Sequence, residues 1–111
     1  MPPEYRKAAD TAWFRRFLQY DPAAVMKKVK QPLLILQGDL DKQVFPHHAD
    51  KLAELARARG RDDAIVEVVH LPGVNHLLVP ANTGEVSEYP MLSGAAVTPE
   101  VAKKIGEFLR R

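Results

Sequence analysis

Two aspartates stand just past a short apolar run: Leu33-Leu34-Ile35-Leu36 is followed by Gln37-Gly38-Asp39-Leu40-Asp41. Further along, a second apolar run ends in Leu71-Pro72-Gly73-Val74-Asn75-His76. A carboxylate and an imidazole within reach of each other make the orienting half of a nucleophile–base–acid triad. The carboxylate binds one ring nitrogen and fixes the tautomer, and the other nitrogen takes a proton from a nucleophile. The spacing Asp39-x-Asp41 admits a different chemistry as well, in which the first aspartate attacks phosphorus with Mg²⁺ assisting. Which aspartate matters depends on what surrounds the two.

The elements that would position these groups follow from periodicity. Met1 to Lys7 is a polar tail. Ala8 to Tyr20 carries Trp13, Phe14, Phe17 and Leu18 at helical spacing, and such a stripe is expected in a core before it is expected to line an acyl pocket. Asp21-Pro22 caps a second short helix through Val25, Met26 and Val29. Pro32 ends it, and Leu33 to Leu36, closed by Gly38, is a continuous apolar run that predicts a strand covered on both faces. Pro46 opens a helix with Ala49, Leu52, Ala53 and Ala56 on one face and Gly60 as its stop. Ile65 to Leu71 is β-branched and predicts a second strand, ended by Pro72-Gly73. Leu77 to Val97 is long and irregular, with two alternatives: folding over the site, or disorder. Thr98-Pro99 caps a last helix whose buried stripe is Val101, Ile105, Phe108 and Leu109. Strand, helix, strand predicts a right-handed parallel βαβ unit. Sites in such sheets form beyond the carboxyl ends of the strands, where Asp41 and His76 fall.

At this point the sequence resembles a family. "LLILQGDLDKQVFP" followed by "VVHLPGVNHLL" is similar to the acid and histidine motifs of the α/β-hydrolase fold, G-x-x-D-x-x-V-P and P-G-x-x-H. Gly38, Asp41, Val44 and Pro46 match the first, with Phe45 inserted before the proline. Pro72, Gly73 and His76 match the second. Acid before histidine agrees with the family's order of Ser, Asp or Glu, His. From about Trp13 to Leu109 the chain resembles bacterial esterases and peptidases of the dienelactone hydrolase and prolyl oligopeptidase type. The resemblance implies Asp41 as the acid and His76 as the base of a triad.

The family's nucleophile elbow, G-x-S-x-G, is not in these residues. Ser87 and Ser93 fit neither its pattern nor its place in the order. The expectation is therefore a single partial domain over residues 1–111, the C-terminal part of a doubly wound α/β-hydrolase sheet, with 77–97 as a long loop after the histidine. The expected function is a serine hydrolase cleaving acyl bonds, a carboxylic ester before a peptide or amide. This chain alone would then be inactive. Two rivals differ in class. One is a non-catalytic hydrolase unit that folds or pairs through exposed sheet edges. The other is a haloacid-dehalogenase-like phosphatase led by Asp39, for which Gln43 stands where threonine or valine belongs.

Other polar residues have plainer readings. Asp39 serves turn geometry or a cap, Asn75 forms a turn, and His70 is a half-exposed strand residue. His47 and His48 are surface positions at a helix start, and their spacing with the aspartates matches no standard metal set. Composition narrows the rest. Without cysteine, thiol catalysis and zinc–thiolate sites are excluded, and the lack fits a cytosolic protein. With 16 basic and 14 acidic residues interspersed, there is no basic stripe for a nucleic-acid partner. No run is apolar enough to span a bilayer, and no metal or organic cofactor is called for. The partners expected are a small ester or peptide substrate in the full protein, and a second copy through an uncovered strand edge.

Overall fold

A computed structural model describes residues 11–60, 65–92 and 94–111. The expected polar tail, the start of the first predicted helix and Ser93 lie outside the described residues. In chain order come α1 (Ala12–Leu18), α2 (Pro22–Met26), β1 (Leu33–Gly38), α3 (His47–Arg57), β2 (Val66–Leu71), a 3-10 helix (Val86–Leu92) and α4 (Pro99–Leu109).

Local chemistry sets the helix starts. The Thr11 hydroxyl accepts from the Phe14 amide at 3.1 Å, and the Asp21 carboxylate accepts from the Ala23 amide at 3.0 Å, so each satisfies an otherwise orphaned first-turn donor. β1 and β2 pair in parallel, from Leu33 opposite Val66 to Gly38 opposite Leu71, and form a two-stranded sheet. The crossover helix α3 buries Ala49, Ala53 and Ala56, and side chains that small let it lie close to both strands. α4 reaches β1, where its Val101 joins Leu71 and Val74 in a buried cluster backed by Leu36, Val69 and Leu78. Each fully buried aliphatic side chain of this kind contributes about 1.5–3 kcal/mol.

The apolar stripes predicted for α1 and α4 are mostly uncovered. No residue of α1 is buried: Trp13 is 72% and Phe17 62% exposed, and their rings stack on each other at 5.8 Å. The core position expected for this stripe is therefore corrected to a surface one. Along α4, Val101 is buried while Ile105 and Leu109 are exposed. A sheet two strands wide has too little face to cover both helices. A largely apolar hollow of about 330 Å³ lies where the strands begin, lined by Pro32, Ile65, Phe108, Leu109 and Arg111. It is at the opposite end of the strands from Asp41 and His76.

The described residues after the histidine are held by specific hydrogen bonds. Glu88, buried, accepts from the amides of Asn82, Thr83 and Gly84 at 3.1, 3.0 and 3.2 Å, and this gathers the loop around the 3-10 helix. Burial pushes the Glu88 carboxyl up, but those amides outweigh it and hold it below its ordinary value. Thr98 makes no side-chain cap; instead its amide donates to the Leu78 carbonyl at 2.8 Å and ties the loop to α4. No helix among the described residues is long and apolar enough to cross a membrane.

Candidate active site

The turns after β1 and β2 are stitched together by their backbones. The Asp39 amide donates to Leu71 O at 3.0 Å and the Leu40 amide to Val74 O at 2.9 Å, extending the strand pairing into the loops. So close an approach dictates Gly38. A Cβ there would sit 2.6 Å from the Asn75 carbonyl oxygen and closer still to that of Val74, and backbone cannot yield as a side chain can. On the other side, Gly84 at φ +81° lies directly against the Leu40 carbonyl, so the loop that Glu88 gathers rests on the acid turn.

Asp41 is 6% exposed and its carboxylate is saturated. Oδ1 accepts from the Gln43 and Val44 amides at 2.9 and 2.8 Å. Oδ2 meets Gln37 Nε2 at 3.1 Å and His76 Nδ1 at 2.9 Å. Burial raises the proton affinity of this carboxyl. The Val44 amide, the His76 ring and the Gln43 amide outweigh it and hold the carboxyl below its ordinary value. An ionised carboxylate can only accept, so the hydrogen on the 2.9 Å contact belongs to His76 Nδ1. In the neutral ring, Nε2 then carries the lone pair. More than a third of the His76 side chain is open, and no group among the described residues hydrogen-bonds Nε2.

Asn75, fully buried, supports the histidine from below. Its Oδ1 accepts from the Leu77 and Val79 amides at 2.9 and 3.1 Å, and its backbone N–H donates to Val79 O at 3.0 Å. Asn75 thus forms the turn expected of it, and is buried while doing so. From the 3-10 helix, Tyr89 donates its hydroxyl to Gln43 Oε1. Burial and the nearby Asp41 charge raise the Tyr89 pKa, which keeps that hydroxyl a donor.

The other candidates separate from this pair. Asp39 turns to His70, with 3.3 Å to Nδ1, while Asp50 of α3 meets the opposite ring nitrogen at 3.0 Å. His70, expected as a plain strand residue, is therefore a clip joining the end of β1, β2 and α3. The Asp50 hydrogen bond, opposed by partial burial and aided by both carboxylate charges, raises its pKa. His47 and His48 lie exposed with their rings 4.2 Å apart. No group of three metal-ligating side chains occurs among the described residues. Ser87 is on the 3-10 helix and is not a partner of His76. The sequence reading missed Gln37, Glu88 and Tyr89. For Gln37 there was a signal, one amide in an apolar strand; the amides that Glu88 binds leave none.

The family model described as the prolyl oligopeptidase family, whose members have the α/β-hydrolase fold, matches residues 3–92. No curated protein and no solved structure matches the chain.

Proposed function

The chain belongs to the prolyl oligopeptidase family, and on that premise we propose that it supplies the acid and histidine of a serine hydrolase acting on acyl bonds. The observation that carries this reading is the 2.9 Å contact between Asp41 Oδ2 and His76 Nδ1, with Nε2 left open. In this reading a serine outside these residues attacks the acyl carbon. His76 Nε2 accepts its proton as the serine Oγ–carbon bond forms and the carbonyl becomes an oxyanion. His76 then gives the proton to the leaving alkoxide or amine as the acyl bond breaks, and water repeats the cycle to free the enzyme. Asp41 keeps Nδ1 protonated throughout and stabilises the imidazolium that forms in between. The substrate is a carboxylic ester or, as the family's description favours, a peptide; the proton movements are the same.

The proposal extends to architecture. The two strands form one end of a larger doubly wound sheet, residues 1–111 act as one partial domain, and residues 77–97 border its site. The isolated 111 residues are expected to leave p-nitrophenyl acetate and a proline p-nitroanilide at background hydrolysis. Joined to a segment that carries a G-x-S-x-G elbow in this fold, they are expected to gain turnover. Asp41→Asn should then lower kcat about 10⁴-fold. Turnover by the isolated chain that survives Asp41→Asn would refute the assignment.

A second reading is favoured by the uncovered aromatic rings of α1. It is self-association of the chain, through those rings and the open sheet edges, in the manner of an interaction module.

A further inference from the structure

A glutamine near the end of an otherwise apolar buried strand is costly unless its amide is paired. Gln37 is buried, and its Nε2 is surrounded by acceptors alone: Val44 O at 3.0 Å, Asp41 Oδ2 at 3.1 Å and Gly38 O at 3.3 Å. Three acceptors fix which end of the amide is nitrogen, because an oxygen there would face three oxygens. Two N–H groups serve them, so the shorter pair, Val44 O and Asp41 Oδ2, define the contact. Gln37 thereby spans the acid turn from the strand side and presents a neutral donor to the same carboxylate oxygen that holds His76.

We propose that Gln37 is a positioning residue for the acid–histidine pair, clamping Asp41 Oδ2 in place and keeping the carboxylate an acceptor for His76 Nδ1. This rests on the reading of Asp41 and His76 given above. Its neutrality matters. A lysine or arginine at the same place would compete with the imidazolium for the carboxylate charge, whereas an amide stabilises the anion through one hydrogen bond and leaves the charge for the histidine. The ionisable groups that face Asp41 are His76 and Tyr89.

The test is an NMR titration of the 111-residue chain. In the wild type, the Gln37 side-chain amide protons should shift with the same midpoint as the Asp41 carboxyl carbon; amide protons indifferent to that titration would overturn the proposal without any substitution. In Gln37→Met, which keeps length and volume and removes the donor, the Asp41 midpoint should rise by about one pH unit, a tenfold change in its acid dissociation constant. A variant that folds with the Asp41 midpoint unmoved makes Gln37 only a space-filler and also overturns it. The two readings fail differently. A wild-type His76 whose neutral ring is protonated on Nε2 and not on Nδ1 removes the acid–histidine reading itself. A wild-type His76 protonated on Nδ1, beside an unmoved Asp41 midpoint in Gln37→Met, removes Gln37 alone.

Discussion

Asp41 is buried and charged, and that combination survives only because each oxygen is satisfied: two backbone amides on one, an amide and an imidazole on the other. The sign of its pH effect follows. Its folded pKa lies below its unfolded value of about 3.9, so its contribution to stability is present above that pH and is lost as pH falls through the folded value. Urea midpoints measured from neutral pH down to pH 2 should fall in the wild type more steeply than in Asp41→Asn. Asn75→Ala should cost about 1–3 kcal/mol, because it strips the acceptor from the Leu77 and Val79 amides; equal denaturation midpoints would contradict that. That Asp41 and His76 would meet was legible in the sequence through short local patterns around Gly38 and Gly73. Asp39 was read as a turn residue because its partner His70 sits on another strand, and no local pattern encodes a contact across strands.

At the scale of elements, the two strands and α3 were legible from apolar runs and from proline and glycine punctuation, since a buried parallel strand and an amphipathic helix write themselves in period and composition. The stripes of α1 and α4 were equally visible, but periodicity tells which face is apolar and not whether anything lies over it. The strand-end turns make two testable points. Gly38→Ala would drive a methyl into two carbonyls of the histidine turn and should destabilise the chain by about 1–3 kcal/mol in equilibrium unfolding, while His76 loses its contact with Asp41. The clip of Asp39, His70 and Asp50 acts at the other pH limit. A folded pKa above the unfolded value of about 6.5 means its contribution is full below that pH and fades as pH rises through the folded value. Because the clip is partly exposed, solvent keeps the effect small. The stability difference between wild type and His70→Gln should shrink from pH 6 to pH 9, and a constant difference would show that the clip is not ionic.

The described residues form a slab, 49 × 43 × 19 Å, with a radius of gyration of 17.2 Å. A compact domain of this length would have about 13 Å. Among the described residues, one sheet of two strands with helices alongside leaves apolar rings at the surface and strand edges unpaired, the conditions under which chains associate. Light scattering should therefore give a mass that rises with concentration above the 12.4 kDa monomer, and Trp13→Lys combined with Phe17→Lys should reduce that rise. A monomer at every concentration would remove the self-association reading and leave the hydrolase reading standing.

The central claim is that Asp41 holds His76 with Nε2 ready to take a proton, and the most direct measurement is the His76 tautomer by ¹⁵N NMR at neutral to mildly alkaline pH. The wild type should be protonated on Nδ1. In Asp41→Asn the side-chain oxygen stays with the Gln43 and Val44 amides, which places the new NH₂ against His76 Nδ1 and should move the ring proton to Nε2. A wild-type ring protonated on Nε2, or a tautomer that Asp41→Asn leaves unchanged, would contradict the account.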